Sequence, residues 1–164
     1  MTLTIRHAGE ADLPIILAIY NDAVENTFAI WNETLVDLEN RRQWLAEREQ
    51  GGFPVLVAER DGAVLGYASY GPFRPHDGYR HTAELSIYVA AEARGGGIGR
   101  ALLAALVEEA RARKVHVLVA AIEAGNAVSI ALHRAQGFEE CGVLREVGRK
   151  ADRWLDLLFM QMIL

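Results

Sequence analysis

The run Gly95-Gly96-Gly97-Ile98-Gly99-Arg100, preceded by Arg94, constrains this chain more tightly than any other feature. Before it, Leu85 to Val89 alternates and is rich in β-forming residues. After it, Ala101 to Lys114 repeats apolar residues at helical spacing. Strand, glycine turn and helix in that order leave backbone N–H groups unpaired at a helix N-terminus, where the helix dipole is positive. Such a terminus binds anions, and phosphate fits it.

Two common phosphate fingerprints are excluded. A Walker A loop needs Gly-x-x-x-x-Gly-Lys-Ser/Thr, which does not occur. A dinucleotide loop needs Gly-x-Gly-x-x-Gly. Counted from Gly95 its last position is Arg100, and counted from Gly97 it is Leu102. The loop also follows the middle of the chain rather than a first strand. What remains is Arg-x-x-Gly-x-Gly, carried by Arg94, Gly97 and Gly99.

Composition narrows the class. A chain of 164 residues, 51% hydrophobic and 24% charged, reads as one soluble globular domain over residues 1–164. The net charge of −5 argues against a nucleic-acid partner. Cys141 is the single cysteine, so an intramolecular disulfide is impossible and no metal site is expected; it reads as a packed thiol. No apolar run reaches the roughly 20 residues that span a bilayer. Met1 to His7 lacks the regions of a signal peptide, so a cytoplasmic location without membrane attachment is expected.

Hydrophobic periodicity then orders the elements. Thr2 to His7 alternates as a strand, and Asp12 to Asn26 carries Leu13, Ile16, Leu17, Tyr20 and Val24 on one helical face. Thr27 to Leu35 has no period. A second helix is predicted from Asp37 to Glu49, stopped by Gly51-Gly52. Pro54–Glu59 and Val64–Tyr70 flank the hairpin signal Asp61-Gly62. Gly71 to His81 reads as a polar loop and Thr82 to Val89 as a strand. Val115 to Ile122 reads as a strand covered on both faces, and Asn126 to Gln136 as a short helix capped by Gly137. Strands near Cys141–Val147 and Trp154–Ile163 close a mostly antiparallel α/β sheet.

This order, with the Arg94/Gly97/Gly99 loop, resembles the GNAT acetyltransferases along the full chain. A second motif, Asn126, Ser129, Leu132, His133, Gly137 and Phe138, resembles that family's C-terminal signature, in which Tyr commonly stands at the position of His133. Within the family, Ile19–Val24, Ile30–Thr34, Gly66–Gly71, Arg74-Pro75, Gly78–Arg80, Ala120–Glu123 and Trp154–Leu157 are similar to the phosphinothricin and methionine sulfoximine N-acetyltransferases. One departure is Glu84-Leu85-Ser86, where related proteins often read Glu-His-Ser.

The resemblance implies acetyl-CoA as cosubstrate and direct attack of an amine on its thioester, with no covalent enzyme intermediate. It implies that backbone N–H groups of Gly95, Gly96, Gly97, Ile98, Gly99 and Arg100 hold the pyrophosphate, Arg100 adding charge. Ile87, Tyr88 and Val89 would pair their backbone with the amide-rich pantetheine arm as an added strand does. Glu84 is implied as general base. His133, seven residues and thus two helical turns from Asn126, would act at the sulfur while Asn126 bonds the cofactor. Imidazole can serve as acid or base, so the two labels stay interchangeable at this stage.

An amino-acid acceptor presents a carboxylate beside its amine, which calls for Arg. Arg74, Pro75 and His76 match the family's substrate loop, and Glu84, Leu85 and Ser86 stand at the strand beside it. Phe28 and Trp31 read as core or as pocket wall. The acceptor is expected to be a small amino-acid analogue; a polyamine, an antibiotic amine or a peptide N-terminus is the alternative within the chemistry, and a non-catalytic CoA-binding protein the alternative outside it. A homodimer is expected, because Trp154, Leu155, Leu157, Leu158, Phe159, Met160 and Met162 give the last strand more apolar surface than one sheet face needs.

Overall fold

The computed structural model describes residues 2–164. Seven strands, β1 (Thr4–His7), β2 (Val55–Arg60), β3 (Ala63–Pro72), β4 (Thr82–Val89), β5 (Val117–Glu123), β6 (Glu139–Lys150) and β7 (Arg153–Ile163), form one sheet in the order β1-β2-β3-β4-β5-β7-β6. Every neighbouring pair is antiparallel except β4 and β5. Helices α1 (Leu13–Asn26) and α2 (Leu38–Gln50) follow β1, α3 (Ile98–Ala112) links β4 to β5, and α4 (Ala127–Gln136) links β5 to β6.

Strand alternation divides the sheet into two faces. On one, Val55, Val57 and Tyr67 pack with Leu13, Ile16 and Ile19 of α1 and Leu45 of α2. On the other, Leu56, Ala58, Ala68, Tyr70 and Leu85 pack with Leu102, Leu103 and Leu106 of α3. Those three leucines are completely buried, and each contributes about 1.5–3 kcal/mol of transfer free energy.

Local chemistry sets the ends of the elements. Asp61 and Gly62 both have positive φ, 53° and 78°, the two-residue turn that matches strand twist. Asp37 caps α2 by accepting from the Asn40 N–H at 2.9 Å. At the start of α1, Asp12 instead takes Arg6 through both carboxylate oxygens, at 2.8 and 2.9 Å. Arg6 in turn holds the Asp12 carboxyl below the usual carboxylate range.

Three boundaries differ from the pattern reading. Helix α3 begins at Ile98, inside the glycine run, because Gly97 takes φ +79° as its N-cap and buries Ile98. It ends before Lys114, whose φ is +60°; Lys114 N–H bonds Arg111 O and Val115 N–H bonds Ala110 O. That is a Schellman stop with Lys in the place usual for Gly, and it delays β5 to Val117. Strand β6 runs to Lys150 and is almost wholly exposed, since it lies at the sheet edge. Cys141 sits on this edge, so the expected packed thiol is instead exposed.

Candidate active site

The parallel pair is the origin of the site. Strands β4 and β5 are hydrogen-bonded only from Thr82–Leu85 against Val117–Ala120. Beyond Leu85 they separate: β4 continues to Val89 paired with β3 alone, and β5 continues to Glu123 paired with β7 alone. A wedge therefore opens in the middle of the sheet. Its β4 wall is the backbone of Ser86 to Val89, which includes the predicted Ile87–Val89 segment.

The glycine loop stands at the mouth of that wedge, between the end of β4 and α3. Gly95 and Gly97 have φ near +80°, which a side chain would disfavour. Among the described residues, the N–H groups of residues 95–100 have no intramolecular acceptor; the first bond of the helix is Ala101 N–H to Gly97 O at 3.1 Å. These free donors lie at the positive end of a 15-residue helix.

Glu84 lies at the closed end of the wedge, paired with Gly71 of β3 on one side and Val119 of β5 on the other. Because directly paired residues share a face, Gly71/Glu84, Ser69/Ser86 and Tyr67/Tyr88 all point to the α1–α2 side. Burial pushes the Glu84 carboxyl up, while Arg48 and Arg74 oppose that shift.

Leu85 is directed the other way. It is 6% exposed and belongs to the core beneath α3. Alternation puts the Leu85 side chain on the face opposite to Glu84 and Ser86, so toward a substrate on that side Leu85 offers only its backbone. Ile87 and Val89 also pack against that core.

His133 is held by the end of α4. Gly137, with φ +105°, closes a second Schellman turn through Phe138 N–H to His133 O, and the Phe138 ring meets the imidazole edge-to-face at 5.2 Å. Burial lowers the imidazole pKa, so the ring is neutral near pH 7. Nδ1 lies 2.7 Å from the Ser129 carbonyl, which can only accept, so Nδ1 carries the proton. Nε2 is left as an acceptor, buried and without a partner among the described residues. Asn126 caps α4 by accepting from Ser129 N–H at 3.1 Å.

The substrate loop is less concentrated than the pattern implied. Arg74, Pro75 and His76 line a hollow of about 270 Å³ with Phe53, Thr82 and Ala83, and Glu84 is not in its wall. Arg80 closes its own turn on the Asp77 carbonyl at 3.0 Å. Trp31 lies on Gly148 of β6, and Phe28 lies under the Arg153 guanidinium at 4.7 Å. The hairpin β6–β7 thus holds both aromatics.

The sequence pattern marks Leu38, Trp44 and Leu45 as the buried face of α2 and assigns nothing to Arg41 and Arg48. They recur with Leu45 at helical spacing, so arginines interrupt a buried stripe, and that was the available signal. Arg41 is buried and lies over the Tyr20 and Trp44 rings at 4.2 and 4.9 Å.

A sheet split at one parallel pair, with a glycine-rich helix start at the split, is the architecture of an acyl-CoA-dependent acyltransferase. Residues 16–138 match the Acetyltransferase (GNAT) family model. An L-methionine sulfoximine/L-methionine sulfone acetyltransferase of Pseudomonas aeruginosa is 60% identical over 99% of this chain and 95% of its own. A crystal structure of a ribosomal-protein-alanine N-acetyltransferase from Brucella melitensis superposes with a TM-score of 0.97 at 77% identity, covering 98% of this chain and 99% of that one. A putative acetyltransferase from Salmonella typhimurium, solved with its cofactor acetyl-CoA, also gives 0.97 at 49% identity, covering 99% and 94%. The chain belongs to the GNAT family, and it is an N-acetyltransferase.

Proposed function

We propose that the protein transfers acetyl from acetyl-CoA to the α-amine of a methionine sulfoximine, methionine sulfone or phosphinothricin-like amino acid. The observation that carries this reading is the alignment of three parts along one wedge: the free N–H groups of residues 95–100, the unpaired β4 edge from Ser86 to Val89, and Glu84 where the strands rejoin. The 60% identical relative that acts on methionine sulfoximine and sulfone supports the acceptor class.

The bound thioester supplies an electrophilic acetyl carbon and a thiol leaving group. Residues 95–100 neutralise the pyrophosphate by backbone donation, Arg100 reinforcing it and Asn126 contributing its side-chain amide from the start of α4. The β4 backbone at Ile87, Tyr88 and Val89 takes the pantetheine amides as a strand would. Glu84 removes the proton from the incoming ammonium, directly or through water; its side chain reaches solvent, and the partial desolvation that raises its pKa makes it a stronger base than a free Glu. His133 Nε2 is an acceptor in the resting protein, so donation at sulfur follows uptake of a proton there. Arg74, Pro75, His76 and Ser86 border the acceptor.

The chain acts as one domain in this reading. It forms a homodimer in the cytoplasm and needs neither metal, nucleic acid nor membrane. No helix among the described residues is long and apolar enough to cross a bilayer.

Mass spectrometry after incubation with acetyl-CoA tests the acceptor. Acetylated methionine sulfoximine, methionine sulfone or phosphinothricin is the expected product. A peptide with an N-terminal alanine belongs in the same assay, given the Brucella structure at 77% identity. Acetylation of that peptide with none of the amino acids overturns the proposal.

A further inference from the structure

Arg48 of α2 is a half-buried cation with no ion-pair partner among the described residues. Its Nε is buried without a partner, and no carboxylate among the described residues lies within ion-pair distance of its guanidinium. Arg6 is satisfied by Asp12 and Glu59, and Arg94 by Asp22, whereas Arg60 shares with Arg48 a buried Nε that has no partner among the described residues. Burying a charge without a partner is costly, so a fold keeps one where something else completes it.

The location says what completes it. A Cβ added to Gly71 would overlap the Arg48 guanidinium, so the guanidinium lies directly on the β3 backbone at Gly71. Gly71 is the strand partner of Glu84, on the same face. Glu84 and Arg48 feel each other's charge, yet they do not form an ion pair. Helix α2 and strand β4 hold one anion and one cation side by side, apart, and facing the same space.

An α-amino acid is the matching ligand. It carries an ammonium and a carboxylate on one carbon, so its site needs an anion and a cation at a short, fixed separation. The guanidinium fork suits a carboxylate, because it donates two parallel N–H bonds. We infer that Arg48 receives the α-carboxylate of the acceptor and thereby presents the α-amine to Glu84. Arg48 is then the residue that makes the enzyme select amino acids over simple amines. The inference rests on Glu84 being the base of the proposed function.

The test compares methionine sulfone with its carboxamide, which keeps the amine and loses the negative charge. Wild type is expected to prefer the acid. Arg48→Gln should raise KM for the acid about 10- to 100-fold, the loss typical of a charge-assisted hydrogen-bonded pair, and leave the carboxamide almost unchanged. Arg48→Lys should recover part of the preference. Acetyl-CoA affinity, measured by calorimetry, should be unaltered in both variants and serves as the control for folding.

An acid-to-amide preference that survives undiminished in Arg48→Gln overturns the role of Arg48. So does an equal loss on both substrates with a shifted pH profile, which would mean that Arg48 acts only on Glu84. Wild type that acetylates neither compound, nor methionine sulfoximine nor phosphinothricin, overturns the proposed function itself, a separate result.

Discussion

Lys150, the last residue of β6, donates its buried ammonium to the carbonyl of Ile30, 120 residues earlier in the chain. The same group donates to Thr27 O at 2.7 Å, and the neighbouring Ala151 N–H donates to Glu33 at 2.9 Å. The hairpin β6–β7 thereby fastens the aperiodic segment between α1 and α2. Lys150→Met leaves two carbonyls unpaired and should cost about 1–3 kcal/mol. A lower urea midpoint and faster proteolysis within residues 27–36 are expected; no change in either would remove the clamp.

Gly97 combines a φ of +79° with a place among the unpaired N–H groups. Gly97→Asp adds strain and a negative charge where an anion is to bind. Acetyl-CoA affinity should fall about tenfold or more, corresponding to roughly 1.4 kcal/mol. Calorimetry giving an unchanged Kd for a folded variant would take this loop out of the site.

The pH dependence of kcat/KM follows from Glu84. A base works deprotonated, and burial raises the Glu84 pKa, so activity should rise with pH through a value above the ordinary Glu position of about 4.3. Glu84→Gln should remove that limb and lower kcat by about 10²- to 10⁴-fold with acetyl-CoA affinity intact. Arg74 opposes the upward shift, so Arg74→Gln should move the limb to higher pH. A limb that persists in Glu84→Gln belongs to another group, and His133→Ala is the next variant to measure.

The proposed homodimer is assigned to the edge of the sheet. Leu155, Leu158 and Met160 of β7 are buried within one subunit, whereas Val143, Leu144 and Val147 of β6 and Trp154 of β7 are about half exposed. An apolar edge strand of this kind needs cover. Val147→Asp should therefore convert a dimer to a monomer in light scattering. A wild-type monomer at micromolar concentration contradicts the dimer outright.

Local chemistry by itself determined much of this protein. Strong periodicity marked α1 and the body of α3, whereas α2 was marked by its Asp37 start and Gly51-Gly52 stop. The Asp61-Gly62 pair marked a hairpin that requires two positive φ angles, and the Arg94/Gly97/Gly99 spacing marked an anion site, because glycine is the residue that leaves backbone donors bare. Three decisions belonged to tertiary structure. Ala151 and Asp152 turn the last hairpin at positive φ with no glycine, a conformation supported from outside by Glu33. The separation of β4 from β5 depends on which strands neighbour each, and pairing between strands over 30 residues apart leaves no local trace. Arg48 reads as any solvated helix arginine until its guanidinium is laid on Gly71, the strand partner of Glu84. Periodicity records which face of a helix is buried, but not what lies on the other side of the interface.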